Sequence, residues 1–455
     1  MRSVGESSSY FANVNNNGNA NSNTASNSFG LRPSILLHKG KGFYIRWKER
    51  KSRPKRQIQT GGWLRPVPPI MYEKIYDLDN LYRAWLKVKK ISHWKERTQL
   101  YGENLLFNLT QLSNKLKDKT AKLGSSMPFI IRERGKERLI YSYDLDTRIA
   151  VRSFIDNVLL PFVEPKLIYD NGASVKGKGL DFHRRRLVAH LQKYYRLHGN
   201  KGYILLIDFR KFFDNIDHNQ LKKMFAEILH DKECEQFVNS LIDAYAVDIS
   251  FLSQEQIKAL ETEPFDSVKL FRQRKKTHCK TKSPVFLRRG VSIGGQLSQI
   301  AGVLYPYKLD NYIKIVKGEK FYARYMDDLY IIHESKDHLK ALLEEIKDKC
   351  REYKIFINEK KTQIVPLNRA FTICKIQYLL KADGNILRKP CKDSFKRERK
   401  AIRKFEQNIK DNKMTAQEAI NSYQSWRGNI NKYDCKKSVQ SMDSYFIKRI
   451  GGLYE

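Results

Sequence analysis

The residues best placed to do chemistry are three aspartates at the ends of apolar strands. Lys201–Asp208 reads KGYILLID, a buried-strand pattern closed by the carboxylate of Asp208. Phe321–His333 reads FYARYMDDLYIIH, two short apolar runs that meet at Asp327 and Asp328. Each feature alone has an ordinary reading as a turn residue or helix cap. Together they are harder to dismiss, because the chain carries a formal net charge of +37 and yet keeps acids on its most apolar strands. Like charges held close destabilise a fold. Two divalent ions about 3.5–4 Å apart relieve that repulsion and activate a phosphoryl transfer. Magnesium is the expected metal, two ions held by few carboxylates plus substrate phosphates.

Such acids need a sheet to carry them and helices to back it. The apolar spacing from Leu78 to Leu116 is helical, with Leu78, Leu81, Trp85 and Val88 on one face. Phe129–Tyr141 reads as a β-hairpin turning at Gly135. Helices are expected over 145–158, 218–246 and 339–353, and over 293–313 after a Gly-Gly start. Ile355–Pro366 reads as a strand pair, and the last sixty residues as basic helices. Asn13–Asn27 holds asparagine at eight of fifteen positions and is expected to be disordered. Lys39–Arg56 is basic, and folded sequence is expected to start near Trp63 or Met71.

Composition points the same way. With 86 Lys and Arg against 49 Asp and Glu, the chain attracts polyanions, nucleic acid first and a membrane surface second. No apolar run approaches the roughly 18 residues of a membrane span, and the N-terminus lacks signal-peptide regions. A cytoplasmic location is expected. The six cysteines include no pair within four residues, so no zinc-type motif exists and reduced thiols are expected.

YMDD at Tyr325–Asp328 resembles the catalytic turn of reverse transcriptases, and DFRKFFD at Asp208–Asp214 resembles the family's other catalytic block. The resemblance spans about residues 75 to 440. It implies an α+β, right-hand polymerase of fingers, palm and thumb, with an antiparallel palm sheet and a helical thumb. The implied division is a disordered basic segment over 1–62, N-terminal helices and fingers over 63–200, palm over 201–380 and thumb over 381–455. Template RNA, primer or cDNA and dNTPs are the implied partners, with no membrane. Asp208 and Asp327 would bridge the two magnesium ions with Asp328 in support, one ion activating the primer 3′-hydroxyl and the other offsetting the charge of the leaving pyrophosphate.

Other blocks follow in family order. GKERLI at Gly135–Ile140 resembles the fingers hairpin that holds the triphosphate, which assigns Lys136 and Arg138. Phe213 matches the aromatic that blocks a 2′-hydroxyl; its ordinary reading is core packing. GASVKGKGLD at Gly172–Asp181 resembles a loop near the template and contains Lys178. NEKKT at Asn358–Thr362 resembles the block that supplies a lysine to the pyrophosphate, making Lys361 the candidate general acid. Phe371–Leu380 resembles the primer grip. Arg397, Lys400, Arg403 and Lys404, with Lys396 and Arg399, would track the duplex from the thumb, where Trp426 is expected in the core.

IGGQLSQ at Ile293–Gln299 selects the branch. Most reverse transcriptases carry QGxxxSP there, with the glutamine against the nascent pair. Ile293, Gly294 and Gln299 fit the (I/V/L)GxxxSQ pattern of diversity-generating retroelements, whose enzymes misincorporate opposite template adenine. A branched apolar side chain cannot make glutamine's hydrogen bonds, which lowers discrimination. Those elements usually also encode a small basic accessory protein. The Asn-rich run ending in GLRP resembles a translated template repeat. Defence-associated bacterial reverse transcriptases are the alternative, and group II intron enzymes a more distant one.

Overall fold

The structure is a computed structural model that describes residues 72–133, 135–276 and 284–451, and, before them, only the backbone of four strands. Those strands, Ser9–Val14, Ala20–Ala25, Arg32–Leu37 and Phe43–Lys48, form an antiparallel sheet within the unit Met1–Pro68. Apart from them, the expected disorder over 1–62 and the template-repeat reading lie outside the described residues. The unit Pro69–Glu455 carries the rest.

After the short helix Glu73–Tyr76 come three more, Leu78–Ser92, Glu96–Glu103 and Leu105–Lys117, over the stretch whose spacing reads as helical. Asp77 starts the first by accepting from Asn80 N at 2.9 Å, and Leu81, Ala84, Trp85 and Val88 form its buried stripe. The chain then makes the hairpin β1 (Ser126–Glu133) and β2 (Lys136–Tyr143), with Glu133 opposite Lys136. Gly135 turns it at φ +78°, a conformation that favours glycine. Helix Leu145–Phe154 continues as a π-turn over Ile155–Leu159.

The central sheet holds β3 (Tyr203–Asp208), β4 (Tyr322–Tyr325), β5 (Asp328–His333) and β6 (Gln363–Pro366) in the antiparallel order β4-β5-β3-β6. Its alternate residues enter two separate cores. Ile204, Leu206, Tyr330 and Ile332 pack with Leu187, Leu191 and Tyr194 of helix Leu180–His198. Leu205, Ile207, Leu329 and Ile331 enter the larger core of the helical layer. Burial on both faces explains why these strands read as unbroken apolar runs rather than as an alternation.

Two expectations change, and one is refined. The helices expected over 218–246 are His218–Leu229 and Lys232–Asp243, separated where His230 is left-handed and Asp231 caps the second by accepting from Cys234 N. The strand pair expected over 355–366 is β6 alone, with Ile357 a single bridge to Phe209. A second sheet of β7 (Phe371–Ile373), β8 (Ile376–Leu380) and β9 (Ile386–Pro390) runs past residue 381 into the stretch expected to be helical. Leu387 and Arg388 pair across to Leu379 and Tyr378, so cross-strand hydrogen bonding decided this short segment, which has no periodicity of its own.

Helices Lys392–Lys410, Ala416–Ile430 and Lys436–Ile450 follow, packed around Ile402, Tyr423, Met442 and Phe446. Trp426 stacks on Tyr423 and meets Phe395 edge-on, so it serves the core of this bundle as expected. Among the described residues no helix is long and apolar enough to cross a membrane.

Candidate active site

The sheet register brings the acids together. Asp208 ends β3 and Asp328 begins β5, and the two are direct cross-strand partners. Asp327 immediately precedes Asp328 in the two-residue turn that joins β4 to β5, and its carbonyl accepts from Phe209 N at 3.1 Å. Burial and then Asp208 raise the Asp327 carboxyl, while the charges of Lys361 and Lys136 pull it back. Asp328 is pushed up to about 6, first by burial, then by Asp327 and Asp208. Asp208 itself is bound by Lys361 Nζ at 2.6 and 2.9 Å and by Asn358 Nδ2 at 3.0 Å. Lys361 is therefore the counter-ion of Asp208 in this structure.

These carboxylates bear on the stability of the protein as well. A carboxyl whose folded value lies near 6 holds its proton more tightly folded than unfolded. That contribution is present at low pH and is lost as pH rises from about 4 through about 6. In the absence of divalent ions, Asp328→Asn is expected to stabilise the protein at pH 7.5 by about 1–3 kcal/mol. At pH 4, where the aspartate is itself neutral, the advantage disappears. Thermal denaturation in chelator at the two pH values reads this directly; equal melting temperatures at pH 7.5 would show that the buried Asp328 carboxylate carries no such cost.

The turn is held from behind. Met326 takes φ +54° at its first position, which is strained for a side-chain-bearing residue. Arg324, fully buried, donates from Nη1 to the Met326 carbonyl at 2.9 Å and from Nη2 to the Val303 carbonyl at 2.8 Å. Its charge is matched by Asp310, also fully buried, at 2.6 Å, and Tyr322 donates to the same carboxylate at 2.5 Å. A buried pair is tolerated when its remaining donors are satisfied, as here. The Gly172 block braces β4 from its other side. Gly172 N donates to the Arg324 carbonyl at 2.9 Å, and a Cβ at Gly172 would lie 2.8 Å from His183 Cβ.

Phe213 and Lys136 bear on this cluster, and the other nucleotide-side candidates lie on the hairpin and in the Ile293 block. Phe213 is half-buried between the acidic turn and helix Gln296–Leu304. A Cβ added to Gly302 would meet its ring at 3.0 Å and Met326 Sδ at 3.4 Å. Lys136 is exposed on the hairpin, and its charge acts on Asp327. Arg138, also exposed, pairs with Glu133 at 2.9 Å. Ile293 forms a parallel bridge to Ile140 of β2, Gly294 follows at φ +97°, and Gln299 is exposed on the helix beyond. A cavity of ≈ 460 Å³ opens beside this block, lined by Trp94, Phe129, Arg148, Gly294 and Gln296 among others.

Others stand apart. Lys178 donates to the Tyr169 carbonyl at 2.7 Å and lies over the Tyr169 and Phe182 rings, so its own loop holds it. Arg397, Lys400, Arg403 and Lys404 are exposed on one side of helix Lys392–Lys410, away from its buried Ile402. Sequence reasoning missed Asn358 on Asp208 and the Arg324–Asp310 pair. An arginine inside the apolar run FYARY was the available signal, because a buried charge demands a partner. It also missed Cys374, at the tip of the β7–β8 hairpin, whose Sγ lies 3.8 Å from Asp328 Oδ2.

An antiparallel sheet with carboxylates converging at one end, a basic hairpin facing them and a basic helical bundle beyond is the architecture of a right-hand polymerase. Residues 131–379 match the reverse transcriptase (RNA-dependent DNA polymerase) family. That match covers more than half of the chain, and the chain belongs to this family. No curated protein matches it. Among solved structures it is similar to apo telomerase from Candida tropicalis truncated from its C-terminal domain, at 16% identity and TM-score 0.38, over 61% of this chain and 59% of that one. Telomerase from Candida albicans in complex with the TWJ fragment of telomeric RNA aligns at 15% identity and TM-score 0.38, over 72% and 59%. The chain thus spans 59% of the length of these telomerases.

Proposed function

We propose that the protein is an RNA-directed DNA polymerase that copies a template RNA by two-metal phosphoryl transfer, and that it is the adenine-mutagenic enzyme of a diversity-generating retroelement. The observation that carries the polymerase reading is the cross-strand pairing of Asp208 with Asp328, with Asp327 in the turn between and Lys361 and Lys136 acting on the cluster. Three carboxylates offer magnesium the hard oxygen donors it takes. Among the described residues no three acids, histidines or cysteines already form a metal cage. When bound, two such ions activate a hydroxyl nucleophile and stabilise the leaving oxygen. In this reading Asp208, Asp327 and Asp328 orient them, Lys136 and Arg138 bind the triphosphate, and Phe213 walls off the 2′ position. Template RNA, primer or cDNA and dNTPs are the partners, with a small basic accessory protein.

The mutagenic branch rests on Ile293. It sits at the junction with β2, where an isoleucine offers shape and no hydrogen bond. Apolar shape discriminates by only about 1–3 kcal/mol. Ile293→Gln is expected to lower misincorporation opposite template adenine more than opposite the other bases, by about 200-fold at most on that scale, with extension retained. Sequencing of cDNA from a template of mixed base content reads it, with the native RNA and any accessory protein present. Parent errors spread evenly over four bases would favour the defence-associated alternative. A variant with the parent's adenine error rate would show that Ile293 marks the branch without causing its infidelity.

A further inference from the structure

Between helix Lys232–Asp243 and the Ile293 block lies helix Ser267–Lys276, which none of the roles above employs. Its start and its middle are each tied to a part of the active site. At its start, Ser267 Oγ donates to Asp214 Oδ1 at 2.8 Å, and Asp266 pairs with Lys211. Lys211 and Asp214 belong to the block that begins with Asp208 and holds Phe213. One turn and a half further on, Arg272 Nη2 donates to Glu137 Oε1 at 2.7 Å. Glu137 lies between Lys136 and Arg138 on β2, and it also accepts from Arg132 Nη2 of β1 at 3.0 Å.

The hairpin needs such support. A two-stranded ribbon is marginally stable by itself, and Met127, Phe129, Ile131, Lys136 and Arg138 of this one are exposed. A helix is stiff and rises 1.5 Å per residue, so ties at its start and one turn and a half further on transmit position. The two arginines hold the Glu137 carboxyl below the usual carboxylate range, as an ionised anchor would be.

We propose that helix Ser267–Lys276 is a strut between the Asp208–Asp214 block and the fingers hairpin, and that Arg272 is a positioning residue for nucleotide binding. Through Glu137 it sets where Lys136 stands relative to the aspartates. This rests on the reading of Lys136 as a triphosphate ligand.

The test uses the full chain, a primed RNA template and dNTP titration. Arg272→Glu is expected to raise KM for dNTP about five- to tenfold while kcat changes by less than about threefold, since misplacement weakens a contact and leaves the reacting groups intact. The paired reversal Arg272→Glu with Glu137→Arg is expected to recover most of that loss. Lys136→Ala runs beside them. If it leaves KM unchanged, the triphosphate reading itself fails, whatever Arg272 does. If Lys136→Ala raises KM and Arg272→Glu does not, the strut is overturned and the reading stands. If Arg272→Glu raises KM and the paired reversal recovers nothing, Arg272 acts by its own charge, which also overturns the strut. Both residues are at the surface, so unchanged melting temperatures confirm that the comparison is between folded proteins.

Discussion

Asp327→Asn is expected to abolish primer extension in magnesium, by about 10³-fold or more, in a protein that remains folded. The Asp327 backbone is locked to the neighbouring strand through Phe209 N, while its side chain carries a raised proton affinity. Asparagine keeps the size and the turn but loses the charge, so the fold has no reason to change. A metal contributes several kcal/mol of transition-state stabilisation, and each 1.4 kcal/mol is tenfold in rate. The loss must appear at saturating dNTP and primer, because it removes chemistry rather than binding. Extension of a primed RNA template at matched protein concentration checks it, with melting temperature as the control for folding. A folded variant that extends within tenfold of the parent would remove the acids from the mechanism and with them the polymerase reading.

The second large effect concerns the sugar. Phe213→Ala is expected to reduce the preference for deoxynucleotides over ribonucleotides by about 10–200-fold, the range of a lost apolar wall. The ring is half-buried, seated on Gly302 and close to the Met326 thioether, so it stands at the edge of the acidic cluster. It also packs against Phe212 edge-on, and truncation therefore costs stability, about 1–3 kcal/mol for a side chain buried in part. Comparing the ratio of kcat/KM for dNTP and rNTP in one variant cancels that general loss. An unchanged ratio, with both substrates slowed alike, would show that Phe213 is core and that the gate lies elsewhere.

Much of this protein was legible in its residues alone. The apolar runs ending at Asp208 and meeting at Asp327 and Asp328 could only be strands carrying acids, because a helix of that composition would bury them. The basic face over Arg397, Lys400, Arg403 and Lys404 and the turn at Gly135 were equally local, being matters of periodicity and of backbone freedom. Tertiary structure decided what those residues meet. The partnership of Asp208 with Asp328 depends on a strand register, and a slip of one residue would turn the carboxylates to opposite faces. Lys361 reaches Asp208 across 153 positions and Arg272 reaches Glu137 across 135, distances over which sequence spacing carries no information about contact. Lys178 looked like a cation for the template, and its own loop holds it against Tyr169 and Phe182. Arg324 looked like a charge in an awkward place until Asp310 was folded onto it. Periodicity reports which way a side chain faces, but only the packed chain brings its partner, and these partners supply the charge compensation at this site.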